Sequence, residues 1–598
     1  MQSTPSQKAQ AEQERVGREH VPALTGEAAP SRRGVHFFAV TDGEGRKRQL
    51  TFGISLPLIA EAYRAAAAVL FCVAALIPSF LWAVRDRHVW PWDQAWYGEV
   101  SVDLWYFFTH APAQWLQLMT VAFGMKPPGS AWLGQFFVPF RGAFGSVETA
   151  LLFSILLTQL AVLVLVYRIS VELAPHTRGI GFLGVGIAAG AEQFVGLSHQ
   201  YLVEPLQCLA VAWTVLIALR SHEWPRARTL IHLVGSTLLG MLAKASTPVY
   251  ALIPIAFILL NLAQDRKPWD FKGEWRLRAS RSLVYGCVAV GALGSLWYAR
   301  NYAAVLQHVR DASSGEIALN YGFRAPVAQK YIIWLRFLKQ AFFDPYLVWM
   351  LAFLLLAAGG AILIARVRFS QWRRWFFIGT FSVAQIAVVL FGFALNDALE
   401  TRYLYALLPY VTIILVVLCA AARYRALQTV AAVACFAQWA AVNQASFELL
   451  PVLANQSPWL NPIGTDATAH RELSDAVRRT SIFPGYNIIA VEEPWLNANS
   501  AAFFAAKNRL DTGIRSYYTS LGYAEKDPAV AMKRIEDFAT RFVITLDEPA
   551  QSTPNFLNLV TLPVLHELES GGRFTRVPFS SEKGMVIFER QNRASVQP

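Results

Sequence analysis

Long apolar runs recur along most of the chain, between about residue 56 and about residue 444. Each run approaches the roughly 20 residues that a helix needs to cross about 30 Å of hydrocarbon. Hydrophobic residues make up 55% of the sequence and charged residues only 16%, whereas about a quarter of an average soluble protein is charged. The chain is therefore predicted to be an α-helical polytopic membrane protein.

From these runs we predict about eleven transmembrane helices. They are placed near residues 58–83, 146–167, 179–197, 202–219, 229–244, 247–263, 282–299, 346–366, 376–395, 403–420 and 427–444. Residues 56–444 are thus predicted to form a transmembrane domain. Residues 1–55 are polar and bury little apolar surface, which predicts a flexible N-terminal tail.

The basic residues predict the orientation in the membrane. The formal net charge of +12 is divided among short clusters between the apolar runs, a pattern that argues against a nucleic-acid partner. With the N-terminal tail in the cytoplasm, every inward loop is basic, as the positive-inside rule requires. The longer loops 84–145 and 300–345 then face outward, and a bacterial inner (plasma) membrane is the expected location.

The composition changes at about residue 445 to that of a soluble domain. An odd number of preceding spans places residues 445–598 outside, in the periplasm. Strand-like runs occur at 486–491, 541–546 and 584–589, and helix-like runs at 501–509 and 529–539. These runs predict a small α/β domain, for which a scaffold or acceptor-docking role is expected because it has no Gly-rich phosphate loop.

Six charged residues, far apart in sequence, fall on the predicted outward face. Charged groups at membrane depth cost several kcal/mol unless they face a cavity or a partner, so each one marks a candidate site. The six are Asp93, Lys126, Glu204, Lys244, Arg300 and Arg402.

Asp93 lies among three tryptophans just after the first apolar run. Apolar surroundings raise the pKa of a carboxyl group and a nearby cation lowers it, which suits a general base. Alternatively, this run is an interfacial aromatic belt with one solvated acid. Lys126 precedes Pro127 and Pro128, which fix the backbone where it re-enters the membrane. A cation held there suits a phosphate, although a lysine can also snorkel beside such a turn.

The other candidates also have structural alternatives. Glu204 heads a predicted span, where the helix dipole favours a carboxylate. Lys244 precedes a helix junction broken by Pro248, and Arg402 can pair with Glu400 or Asp397. The outward histidines, His110, His199 and His308, have no metal-ligand spacing.

Together these runs resemble the polyprenol-phosphate-sugar-dependent GT-C glycosyltransferases, which include protein O-mannosyltransferases and the bacterial lipid A aminoarabinose transferase. The resemblance covers residues from about 58 to about 415. The resemblance rests on these residues: Asp93 after the first span, Lys126-Pro127-Pro128 before a Trp-Leu helix, Glu204, Leu242-Ala243-Lys244, Trp297-Tyr298, and Arg402-Tyr403-Leu404 through Leu408-Pro409.

The resemblance implies a sugar donor carried on an undecaprenyl-type phosphate and a lipid, glycan or protein acceptor. If the matching positions keep their roles in the family, Asp93 is the general base of an inverting glycosyl transfer and Glu204 is a second acid. The donor phosphate is expected to bind the four cations, Lys126, Lys244, Arg300 and Arg402.

The sequence departs from the family pattern at two positions. At Gln94 the family commonly has a second acid, and at Met125 one branch of the family has an acid that helps to hold a metal. No metal ligand or cofactor is assigned, and a divalent metal stays open.

Two other functions fit an outward cavity lined by cations. One is a transporter or flippase for a lipid-linked glycan, and the other is a non-catalytic assembly protein. Transporters usually contain internal repeats with broken helices at the midplane, and no such repeat is visible in the sequence. A membrane glycosyltransferase is therefore the favoured prediction.

Overall fold

The computed structural model describes residues 39–41, 47–49, 56–264, 274–364, 369–421, 425–447, 460, 462–481, 485–547 and 555–591. The chain divides into a short N-terminal unit, Met1–Ala67, and a large unit, Ala68–Pro598. In the short unit, β1 (Ala39–Thr41) pairs antiparallel with β2 (Lys47–Gln49). Most of the predicted tail lies outside the described residues, and its flexibility stays a prediction.

The chain is mostly helical up to residue 447, and a helix lies at each of the eleven positions where a span was predicted. In chain order the helices are α1 (Leu56–Arg85), α2 (Trp92–His110), α3 (Pro112–Val121), α4 (Gly129–Gly134), α5 (Arg141–Phe144), α6 (Val147–Leu173), α7 (Ile180–Ala189), α8 (Glu192–Ser198), α9 (Glu204–Arg220), α10 (Arg226–Ala243), α11 (Thr247–Tyr250), α12 (Leu252–Gln264), α13 (Glu274–Ser314), α14 (Glu316–Asn320), α15 (Val327–Phe342), α16 (Leu347–Ile364), α17 (Phe369–Ala394), α18 (Leu408–Ala421) and α19 (Arg425–Phe447).

Five helical segments within the described residues are long and apolar enough to cross a membrane, or up to seven if two bent helix pairs each count as one span. The five are Glu61–Arg85, Val147–Leu173, Arg374–Ala394, Thr401–Ala421 and Arg425–Phe447. The bent pairs are α7 with α8, at 66°, and α15 with the first part of α16, at 100°. The other predicted spans are short or carry charge: α9 has 17 residues, and α10 begins with Arg226 and Arg228. A helical membrane architecture is confirmed, while the count of eleven stays a prediction.

The C-terminal part is a small α/β arrangement around a five-stranded sheet. Its elements are α20 (Thr468–Thr480), β3 (Tyr486–Ile489), α21 (Ala498–Thr512), β4 (Tyr517–Ser520), α22 (Pro528–Asp537), β5 (Phe542–Leu546), α23 (Thr561–Ser570), β6 (Phe574–Val577) and β7 (Met585–Arg590). The strand order is β4-β3-β5-β7-β6, with β4, β3 and β5 parallel and β7 and β6 antiparallel to their neighbours. The predicted C-terminal sheet is confirmed, and the placement of this part in the periplasm stays a prediction.

Helix α21 of the C-terminal part packs closely against α2, the helix that carries Asp93. A Cβ atom added at Gly98 of α2 would lie 2.9 Å from the Phe503 ring, so only glycine permits this approach. The ring of Phe503 also stacks on Trp90, with centroids 5.2 Å apart. Buried side chains of the helical and C-terminal parts form one continuous hydrophobic core. The position of the candidate base therefore depends on the C-terminal part.

Arg515 joins the two parts by a nearly buried ion cluster. Its guanidinium bonds Glu99 of α2 and lies 3.1 Å from Asp103. We expect Arg515→Ala to lower the free energy of unfolding by about 3 kcal/mol, because it leaves the partly buried Glu99 without this cation and Asp103 with only Arg509, 3.7 Å away. Arg576→Ala is the matched control, since Arg576 forms an exposed ion pair, and it should cost less than about 1 kcal/mol. Equal unfolding midpoints for the two purified variants would contradict the expectation.

Candidate functional site

Asp93 lies in the first turn of α2, where the helix dipole favours a carboxylate. Pro91 precedes the helix in an extended conformation, and the helix begins at the next residue. Asp93 Oδ1 accepts a hydrogen bond from Lys126 Nζ at 2.7 Å, and Oδ2 accepts one from Arg402 Nη2 at 3.0 Å. Both oxygens of the candidate base are thus held by cations.

Lys126 follows a sharp turn after α3. Phe123 and Gly124 have φ angles of 62° and 65°, and two successive left-handed residues reverse the chain before Lys126. The ammonium group lies between Asp93 and the ring of Trp96, 5.0 Å from the ring centroid. The lysine is fixed by these contacts rather than snorkelling freely.

Arg402 contacts the three carboxylates of the site. It is the second residue of the 3₁₀ segment Thr401–Leu407, which leads into α18. Besides its bond to Asp93, its Nε lies 3.3 Å from Glu400 Oε2 and 3.8 Å from Glu204 Oε1. The predicted pairing with Glu400 is therefore present together with the predicted site contact.

Glu204 and Lys244 form the second half of the site. Glu204 is at the start of α9 and is 2% exposed, and Lys244 directly follows α10. Lys244 Nζ donates to Glu204 Oε1 at 2.9 Å and also lies 3.8 Å above the Tyr403 ring. Glu204 Oε2 is buried and has no hydrogen-bond partner among the described residues. This oxygen can accept a hydrogen bond from a ligand.

Five of the six sequence candidates line one cavity of about 840 Å³. They are Asp93, Lys126, Glu204, Lys244 and Arg402, and Glu400 joins them. Arg300 does not: its side chain on α13 is exposed and does not line this cavity. The structure gives no geometric support to Arg300 as a phosphate ligand. The five lining candidates and Glu400 are three carboxylates and three cations, and Glu492 is a fourth carboxyl group in the lining.

The charges around Asp93 determine its protonation. Burial raises the pKa of this carboxyl group, but the ammonium of Lys126 and the guanidinium of Arg402 lower it by more. The net result is a pKa well below the usual range for aspartate. Asp93 is therefore ionised at neutral pH, as a general base must be.

The C-terminal part supplies one wall of the same cavity, which the sequence did not predict. Glu492, Asn499, Ser520 and Tyr523 line it. Burial raises the pKa of Glu492 to about 7, against the opposing effect of its hydrogen bond from Trp92. Ser520 ends β4, and Glu492 follows the neighbouring parallel strand β3 by three residues. Their positions after parallel strands are a general indication of a binding site, since ligands bind beyond the carboxyl ends of such strands.

Among the described residues, those that line the cavity are not arranged to hold a metal ion. In the described part of the chain, no group of three or more His, Cys, Asp or Glu side chains is arranged to hold one. Met125, at the position where a metal-binding branch has an acid, lines the cavity. Of the three histidines predicted to face outward, His308 lines the cavity, His199 is buried against the Trp82 ring, and His110 is exposed. No step of the chemistry is assigned to a metal.

Comparison with solved structures confirms the expected fold. ArnT from Cupriavidus metallidurans bound to undecaprenyl phosphate matches with a TM-score of 0.52 and 13% identity, over 88% of this chain and 98% of that one. The apo state of ArnT from Cupriavidus metallidurans gives a TM-score of 0.48 at 13% identity, over 89% and 98%. The Archaeoglobus fulgidus oligosaccharyltransferase in complex with Zn and sulfate gives 0.44 at 12% identity, over 81% and 67%. The first match shows that this chain shares the GT-C fold of ArnT.

No protein-family profile matches the sequence, and no curated protein matches it significantly.

Proposed function

We propose that this protein is a membrane glycosyltransferase that moves a sugar from a polyprenyl-phosphate donor to a lipid, glycan or protein acceptor on the outer, periplasmic face. The observation that carries the proposal is the cavity in which Asp93, Lys126 and Arg402 are in direct contact. The fold adds support, because the ArnT that shares it was crystallised with undecaprenyl phosphate.

The proposed reaction is a direct displacement at the anomeric carbon. The acceptor hydroxyl gives its proton to Asp93 while its oxygen forms the new bond to that carbon. The bond between the anomeric carbon and the phosphate oxygen breaks, and the polyprenyl phosphate leaves with the electron pair. Attack from the side opposite to the phosphate inverts the configuration.

The cations have two tasks in this proposal. Lys126 and Arg402 neutralise charge on the departing phosphate, where a preorganised site stabilises the transition state by several kcal/mol. They also hold both oxygens of Asp93 before the donor binds. A phosphate that draws either cation away raises the pKa of Asp93 and makes it a stronger base. Donor binding would thus activate the base.

Glu204 and Lys244 are assigned to orienting the substrates. Their ion pair of 2.9 Å fixes one oxygen of Glu204, and the other oxygen is buried without a partner among the described residues. Buried carboxylate oxygens are normally hydrogen-bonded, so a sugar or acceptor hydroxyl is the proposed partner. Lys244 is held by Glu204 and the Tyr403 ring within reach of the same cavity.

Product stereochemistry tests the proposal. The purified protein is incubated with synthetic undecaprenyl-phosphate mannose, glucose or aminoarabinose and with membrane lipids as acceptors. We expect release of undecaprenyl phosphate and a glycoside of the opposite anomeric configuration, measured by mass spectrometry and NMR of the product. Retained configuration would reject direct displacement. Movement of the intact lipid-linked sugar across a vesicle bilayer, without cleavage, would support a flippase instead.

A further inference from the structure

The C-terminal part holds the residue next to Asp93 from two directions. Glu492 Oε2 accepts a hydrogen bond from Trp92 Nε1 at 3.0 Å, and Asn499 Nδ2 donates to the Trp92 carbonyl oxygen at 3.2 Å. Ser500 Oγ donates to the Trp90 carbonyl oxygen at 2.7 Å. The chain is therefore fastened on both sides of Pro91, immediately before the candidate base.

Trp92 has an unusual backbone. Its φ of 27° lies in the left-handed region, which residues with a Cβ atom rarely adopt. Such conformations persist when surrounding contacts determine them, and they cluster at functional sites. Here the backbone turns from the extended Pro91 into the first turn of α2. A change in φ at Trp92 would reorient Asp93, the following residue.

The contacting groups are themselves held in place. The Asn558 side chain accepts from the Glu492 amide at 2.7 Å and donates to the Glu492 carbonyl at 3.1 Å. Asn497 caps α21 by accepting from the Ser500 amide at 2.9 Å. Glu492 and Asn499 thus extend from a fixed loop and a capped helix end. They are able to impose a position on Trp92 rather than follow it.

We propose that Glu492 and Asn499 are positioning residues that hold Trp92, and through it Asp93, in the geometry of glycosyl transfer. This inference rests on the proposed function. It makes the C-terminal part a component of the catalytic unit, beyond the scaffold or docking role expected from the sequence. Glu492 acts by accepting the indole hydrogen bond, for which a negative charge is not needed. Glutamine, which also has an acceptor oxygen, should therefore replace it.

The kinetic test compares Glu492→Ala, Glu492→Gln and Asn499→Ala with the wild-type protein. Glu569→Ala is the matched control, since Glu569 is an exposed residue of the same α/β part. We expect Glu492→Ala to lower kcat by roughly 10- to 100-fold, as small misplacements of catalytic groups do. The KM for the lipid donor should stay within about threefold, because the cations remain, and Glu492→Gln should retain most of the activity. Wild-type kcat in both alanine variants would overturn the proposal.

A second measurement does not depend on turnover. Fluorine NMR of protein labelled with fluorotryptophan reports the surroundings of Trp92, whose signal is assigned with Trp92→Phe. The signal should shift in Glu492→Ala and stay near its wild-type position in Glu492→Gln and Glu569→Ala. An unchanged signal in Glu492→Ala overturns the positioning role even if the variant is less active. If the wild-type protein cleaves none of the donors, the proposed function fails, and this signal still decides whether Glu492 holds Trp92.

Discussion

Replacing Asp93 by asparagine is expected to lower kcat by roughly 10²- to 10⁴-fold, the usual contribution of a general base. The amide cannot take the proton of an acceptor hydroxyl. It keeps the size of the carboxylate but removes the negative charge that Lys126 and Arg402 contact. Because Asp93 then no longer competes with a phosphate for these cations, the affinity for undecaprenyl phosphate should be equal to or higher than that of the wild-type protein.

Opposite effects on turnover and binding distinguish this role from a structural one. The measurements are kcat with the donor that the wild-type protein cleaves, and the Kd for undecaprenyl phosphate alone. Asp511→Asn is the control, because Asp511 pairs with Arg141 in an exposed ion pair 3.0 Å long, which contributes little. If Asp93→Asn keeps full turnover, Asp93 is not the base. If Asp93→Asn lowers donor binding, turnover and thermal stability together, the charge of Asp93 stabilises the folded protein and has no specific catalytic role.

The sequence indicated which residues lie near one another better than which of them are in direct contact. Asp93, Lys126, Glu204, Lys244 and Arg402 meet because each lies at the end of an apolar segment on the same predicted face. Positions at segment ends depend on the alternation of spans, which hydropathy and loop charge reveal. Direct contacts, such as Arg402 with Asp93 across 309 positions of sequence, are not visible in any local pattern.

Arg300 is the one of the six sequence candidates that does not line the cavity. The predicted span 282–299 is part of α13, which continues without a break to Ser314. Which residues of α13 line the cavity then depends on the face of the helix on which they lie, and not on where an apolar run ends. Val305 and Val309 of α13 line the cavity. Arg300 lies nine residues before Val309, about two and a half turns, which places it on the opposite side of the helix.

The wall supplied by the C-terminal part was missed for a different reason. The predicted strands correspond to β3, β5 and β7, but the edge strands β4 and β6 are more exposed and have no clear apolar run. Without β4, the parallel pair that places Ser520 beside the end of β3 cannot be recognised. Glu492 is therefore absent from the predicted site residues, although it lines the cavity.

Removing the charge of Arg402 is expected to weaken donor binding and turnover together. In Arg402→Gln, three carboxylates face only Lys126 and Lys244, so an anionic phosphate meets a site of net negative charge. The Kd for undecaprenyl phosphate should rise by roughly 10- to 100-fold, the effect of losing a hydrogen bond to a charged group. Arg402→Lys keeps the charge but cannot reach all three acids. Its Kd for undecaprenyl phosphate should lie between those of the wild-type protein and Arg402→Gln.

Arg300→Gln is the matched control for this substitution. Its side chain is exposed and away from the cavity, so the Kd should change by less than about twofold, as expected for a screened surface charge. An equal loss of affinity in Arg300→Gln and Arg402→Gln would restore the assignment of Arg300 made from the sequence. It would also contradict the geometry of the cavity.

Arg402→Gln should also change the pH dependence of kcat/KM. Although burial raises the pKa of Asp93, Lys126 and Arg402 hold it well below the usual range. The wild-type base therefore stays ionised until the solution is strongly acidic, and activity is lost only as the pH falls through that low pKa. Without the guanidinium, the pKa of Asp93 rises, and the acid limb should move to higher pH. Because kcat/KM reports groups of the free enzyme, superimposable acid limbs in the two proteins would mean that Asp93 is not the titrating base.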